Sequence, residues 1–173
     1  MSGEKLFTWS HFTISKNVQR YPDGLEREVT RMEHPGAVVI VPIGAQGEFV
    51  LERQYRAAVN RWLLEFPAGT MEHGEDPLEC AKRELAEEVG LAAQHWQNLG
   101  TMLPAPGFCN EVQHLFIAQD LSVVPTNPDE DEIIQTLRLN QVDLTEQIRI
   151  GEVLDSKTVA AFYRALLAQS LVD

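Results

Sequence analysis

Apolar positions recur along the chain at two periods, and the switches between them mark out the elements. In residues 77–89, Leu78, Ala81, Leu85 and Val89 follow one another at spacings of three and four, the stripe of an amphipathic helix. Asp76, Pro77 and Glu79 read as N-cap, first-turn proline and capping-box partner, and Gly90 as a left-handed stop. A last helix starts at Asp155 or Ser156, where Val159, Phe162, Tyr163, Leu166 and Leu167 form a second stripe. Residues 37–43 are a β-branched run suited to a central strand. "GEFVLERQYR", "RWLLEFPAG", "WQNLGTMLP", "VQHLFIAQDL" and "IIQTLRL" read as further strands, and turn-rich segments at residues 104–110 and 125–131 separate the last three. "PDG" at residues 22–24 is a turn between two short strands, so residues 1–34 read as a hairpin or small sheet ahead of a domain spanning residues 35–173. A mixed sheet between helices makes the expected fold an α/β/α sandwich of the α/β class.

On the helix over residues 77–89, a different face carries Glu84, Glu87 and Glu88 at i, i+3 and i+4. The wider stretch "FPAGTMEHGEDPLECAKRELAEEVGL" holds six glutamates and one aspartate. One reading is a solvated acidic face, whose mutual repulsion costs only a few tenths of a kcal/mol, roughly, per exposed pair. The other is a cation site, because a bound dication turns clustered carboxylates from mutually repulsive to favourable.

An upstream glycine, an isolated glutamate and an arginine bracket the cluster at fixed intervals. Gly69 is followed after five residues by Glu75, after seven more by Arg83-Glu84-Leu85, then Glu87-Glu88 and Gly90-Leu91 at single-residue intervals. This pattern resembles the Nudix box at all nine specified positions. The resemblance implies an α/β/α sandwich that cleaves a pyrophosphate linkage with divalent cations, magnesium or alternatively manganese, held by oxygen ligands. It implies Glu84 and Glu88 as direct metal ligands, Glu87 as a further or water-mediated one, and the carbonyl of Ala68 as another. It also implies that Arg83 orients these carboxylates by pairing with a box glutamate such as Glu75.

Outside the box, "LPAPGFCNE" places Pro106 fifteen residues beyond Leu91, with Gly107 and Glu111 following. That spacing, with "REVTRMEHPGAVVIVPI" and "ERQYRAAVNRWLLEFPAGTMEHGE", resembles the ADP-ribose pyrophosphatase and nucleoside diphosphate sugar hydrolase branch. The likeness extends over most of residues 22–139. It implies a general base outside the box, with Glu130 and Glu132 in "NPDEDEII" as candidates and Glu111 as a third. It further implies substrate contacts from Arg27, Arg56, Glu65, Pro106 and Gly107, and a homodimer whose N-terminal strands reach the partner's site. Trp9, Phe12 and Tyr21 could stack on a base or simply pack.

Composition narrows the partners. With 173 residues and 44% hydrophobic content the chain suits one globular domain with a small N-terminal appendage. A net charge of −12 and a pI near 4.8 disfavour nonspecific nucleic-acid or anionic-membrane binding, which needs basic patches. Cys80 and Cys109 lack metal-ligand spacing, and no apolar signal or spanning segment is visible, so a reducing cytoplasm is the expectation. Cys80 reads as a small buried filler. The functional expectation is hydrolysis of ADP-ribose or a related nucleoside diphosphate sugar. A noncatalytic nucleotide sensor of the same fold and an enzyme acting on RNA 5′ ends stand as alternatives.

Overall fold

The computed structural model describes residues 4–126 and 133–170. Three strands open the chain: β1 (Glu4–Trp9), β2 (Phe12–Arg20) and β3 (Glu26–Glu33) form an antiparallel sheet in that order. The small N-terminal sheet expected from the sequence is therefore a three-stranded meander, with the "PDG" turn closed by Gly24 at φ 81°.

The central sheet takes the order β7-β4-β9-β8, from β4 (Ala37–Pro42), β7 (Ala68–Thr70), β8 (Leu91–Met102) and β9 (Gln113–Val123). Its β4–β9 pair is parallel and the others are antiparallel, so the sheet is mixed. β4 is buried along its whole length, and its alternation divides the core. Val38 and Ile40 pack with Cys80, Ala81, Leu85 and Val89 of α1 (Pro77–Val89). Val39 and Val41 pack with Phe49, Phe66 and, from α3 (Ser156–Ser170), Ala161, Phe162 and Ala165. Helices thus cover both faces, giving the expected α/β/α sandwich. A third sheet, in the order β10-β5-β6, joins β5 (Phe49–Arg56), β6 (Arg61–Glu65) and β10 (Ile134–Leu139).

Three elements depart from the sequence expectation. "RWLLEFPAG" is two strands, not one: it breaks at Phe66 and Pro67, and β6 and β7 belong to different sheets. β8 begins at Leu91 immediately after α1, five residues before the expected start at Trp96. A further helix, α2 (Gln141–Arg149), was not foreseen; Asn140 caps it by accepting from the Asp143 N–H at 2.8 Å, and Leu144 is its one buried residue.

Candidate active site

α1 forms where its signals placed it. The Asp76 carboxylate accepts from the N–H groups of Leu78 at 2.9 Å and Glu79 at 3.2 Å, and Gly90 ends the helix at φ 65°. Its buried side is wider than the apolar stripe alone, because Glu84 and Glu88 are only 9% and 5% exposed. The solvated-face reading is overturned for these two: β7 lies over them. Gly69 passes so near that a Cβ there would stand 1.9 Å from the Glu84 carboxylate carbon, and the Ala68 N–H donates to Glu88 Oε2 at 2.9 Å.

Arg83 organises the acids around it. Its Nε and Nη2 donate to the two oxygens of Glu75 at 3.0 and 3.1 Å, and Nη1 donates to Glu84 at 2.7 Å and Glu87 at 3.1 Å. The hydrogen bonds from Arg83 hold the Glu75 carboxyl down at about 2, well below the usual range. Those same bonds raise the guanidinium's own pKa, so the group is a permanent cation. Behind it, the Cys80 thiol is pushed up to about 12 by burial, which leaves it an inert filler as expected.

Opposite this wall stands the end of β5. Arg56 forks onto Glu65 through Nε at 2.9 Å and Nη2 at 2.7 Å, and Lys157 of α3 binds the same carboxylate. Burial works against the charge on both Arg56 and Glu65, but their mutual hydrogen bonds prevail, raising the pKa of Arg56 and lowering that of Glu65. Between the two walls lies a cavity of about 630 Å³, whose lining includes Gln54, Tyr55, Arg56, Ala68, Gly69, Glu72, Arg83, Glu84 and Glu87. His11, from the β1–β2 turn, also borders it.

Not all of the sequence-derived candidates meet there. Glu65 is 1% exposed with Arg56 and Lys157 on its oxygens, so in place of an expected contact with base or sugar it anchors Arg56. Arg27 pairs with Asp23 at 2.5 Å and lies 4.5 Å over the Tyr21 ring, away from the cavity lining. Trp9 and Phe12 pack edge to face at 5.3 Å on either side of the turn that carries His11. Pro106 and Gly107 lie in a turn tied to β3, where the Met32 N–H donates to the Phe108 carbonyl at 2.8 Å. Glu111 accepts from Gln113 Nε2 at 2.8 Å, outside the lining. Glu130 and Glu132 lie outside the described residues. His11, Gln54 and Lys157 escaped the sequence reading; the aromatic pair flanking His11 was its only local signal.

Among the described residues no three acidic, histidine or cysteine side chains are already gathered as a metal site; the Arg83 guanidinium bridges Glu84 and Glu87. The donor set still fits a hard dication of the magnesium type, which takes one or two carboxylates and completes its shell with water and substrate phosphate. Glu84 and Glu87 on the cavity border, with Glu88 buried beside them on the same helix, meet that requirement.

A sandwich that lays an acidic helix under one wall of a polar cavity, with arginines on both sides, has the make-up of an enzyme acting on phosphoanhydrides. The NUDIX domain description matches residues 32–157, and the chain belongs to that family. It is 31% identical to an ADP-ribose pyrophosphatase of Bacillus subtilis (strain 168), over 97% of this chain and 92% of that protein. To a methanol dehydrogenase activator of Bacillus methanolicus it is 33% identical, with the same coverage. A crystal structure of an ADP compounds hydrolase superimposes with a TM-score of 0.82 at 26% identity, covering 98% of this chain and 92% of that one. The chain is an enzyme of the Nudix pyrophosphatase type, a hydrolase of nucleoside diphosphate derivatives.

Proposed function

We propose that the enzyme cleaves ADP-ribose, or a closely related nucleoside diphosphate sugar, to a nucleoside monophosphate and a sugar phosphate in the presence of magnesium. The observation that carries this reading is one cavity bordered by the buried Glu84 and by Glu87 on one side and by Arg56 on the other, with the buried Glu88 held by the N–H of Ala68, which also borders it. A diphosphate is shielded from nucleophiles by its own charge, and both walls answer that problem. Glu84, Glu88 and Glu87, with the Ala68 carbonyl, would hold the magnesium, which supplies charge neutralisation of the phosphates and acidification of a water. Arg83 holds Glu84 and Glu87 in place and stays off the substrate. Arg56 receives phosphate oxygens on the opposite side. Water oxygen bonds to one phosphorus, the bond from that phosphorus to the bridging oxygen breaks, and the water's proton passes to a carboxylate. For that base Glu130 and Glu132 are proposed, with Glu111 held as the third candidate.

The Arg27, Pro106, Gly107, Trp9 and Phe12 roles belong to the same proposal as contacts completed when two copies associate through residues 1–34. Cys80 and Cys109 are both free and buried, which suits a reducing compartment such as the cytoplasm, and among the described residues no helix is long and apolar enough to cross a membrane.

The test is a panel of nucleoside diphosphate sugars assayed with magnesium, products identified by phosphorus NMR. ADP-ribose should give AMP and ribose 5-phosphate, and Glu88→Gln should lose about a hundredfold or more in turnover while remaining folded. Glutamine at Glu130 or Glu132 should lower turnover with substrate binding intact. Wild-type-like turnover in Glu88→Gln at saturating magnesium would overturn the metal assignment.

A further inference from the structure

Away from the cavity, the first turn of α3 carries charges that the chemistry above does not call on. Lys157 is 14% exposed; it binds Glu65, 92 residues earlier in the chain, and Asp155 Oδ2 at 3.1 Å. The turn itself is fastened to the backbone beside Glu65: the Phe66 N–H donates to Thr158 Oγ1 at 2.8 Å, and that hydroxyl donates to Asp155 Oδ2 at 2.6 Å. Glu65 is thus a buried carboxylate shared by two cations, Lys157 behind and Arg56 in front. The fork from Arg56 uses Nε and Nη2, which leaves Nη1 for a ligand in the cavity that Arg56 borders.

An arginine paired with a carboxylate of its own presents little net charge to an incoming phosphate. A second cation on the same carboxylate changes that balance. We propose, on the reading of the cavity as a diphosphate site, that Lys157 is a positioning residue: acting through Glu65 it fixes the orientation of the Arg56 fork and keeps its charge available to substrate phosphate. α3, remote from the acidic helix, thereby becomes part of the substrate grip. Without Lys157, the Glu65 carboxylate has one cation fewer to hold it in place, so the Arg56 fork loses its fixed orientation and the pair presents little net charge to the cavity.

The experiment compares Lys157→Met and Lys157→Arg in the wild-type and Arg56→Ala backgrounds, with ADP-ribose and magnesium. Lys157→Met should raise KM about tenfold with kcat within about twofold, because the grip acts on ground and transition states alike. Lys157→Arg should recover most of the loss. In the Arg56→Ala background the effect of Lys157→Met should fall below about twofold, since the two residues act as one unit. A purely structural Lys157 would lower activity by the same factor in both backgrounds, and that result, or an unchanged KM, overturns the proposal. Lys157→Gln, which keeps a donor to Glu65, serves if the methionine variant does not fold. The Arg56 Nε–H resonance gives a readout without substrate: distinct and slow to exchange in the wild type, it should merge with the solvent-exposed arginines in Lys157→Met. If the wild type hydrolyses none of the panel, the functional reading fails, and this resonance alone decides the positioning role, its persistence in Lys157→Met overturning it.

Discussion

At Gly69 the constraint is space. A methyl group there would overlap the Glu84 carboxylate, with oxygens at 2.0 and 2.4 Å from the added carbon. That carboxylate is the far end of a flexible side chain, so the fold can yield by letting Glu84 swing aside. Gly69→Ala should therefore melt close to the wild type yet lose activity on the order of tenfold to a hundredfold, since misplacing a catalytic group by about an ångström costs that much. A parallel measurement of thermal unfolding and turnover checks it. Activity near wild type would mean that Glu84 does not need its present position. Residue identity was legible here from spacing alone, whereas the reason for it was not: only the fold shows that Gly69 lies against a carboxylate fifteen residues further on.

Between residue and element, the Glu75–Arg83 fork joins the loop before α1 to the helix. Glu75 is lowered from 4.5 to about 2 chiefly by the hydrogen bonds from Arg83, so its folded pKa lies below its unfolded one. The unfolded chain then takes up a proton first as pH falls. The stabilisation from the pair is full above about pH 4.5 and drains away as pH drops toward 2. Urea unfolding of the wild type and Glu75→Gln in a metal chelator should show a stability gap near neutral pH that closes across this acid window. A gap that stays constant to the lowest pH would show that Glu75 acts by packing. Elements with such local signals were readable from sequence. α1 carried its cap, its proline, its stripe and its stop within fifteen residues, and the structure reproduces its bounds. α2 offered one buried leucine and an asparagine cap in a nine-residue helix, too few apolar positions to set a period. The Arg56–Glu65–Lys157 chain was invisible for another reason: its members come from β5, β6 and α3, and only tertiary folding brings them together.

For the whole molecule, the N-terminal sheet is the part that the sandwich does not explain. Register and alternation put Phe7, Trp9, Phe12, Ile14 and Val18 on one of its faces, since Phe7 stands opposite Ile14 and Trp9 opposite Phe12. The other face presents Thr13, Ser15 and Asn17, with Ser15 bound to Glu33 at 2.7 Å. On the apolar face, Phe7, Trp9 and Val18 are 56%, 63% and 65% exposed in the single chain. Lys16, between Ile14 and Val18 on this face, pairs with Glu28 at 2.7 Å; the exposed apolar side chains around that pair favour a covered state, and a second copy of the same sheet would supply it in the proposed homodimer. Each large apolar side chain removed from water contributes about 1.5–3 kcal/mol, so replacing Phe7 and Val18 together by aspartate should weaken association by at least roughly a hundredfold. Light scattering should find the wild type at twice the 19.5 kDa chain mass and the double variant at the chain mass itself. A wild type that elutes as a single chain at micromolar concentration would sink the dimer. The variant's activity then separates two roles for the sheet. His11 borders the cavity of its own chain, so a monomer that keeps full kcat but a raised KM would place the missing contacts on the partner's strands, and one that keeps both constants would leave the sheet a purely associative surface.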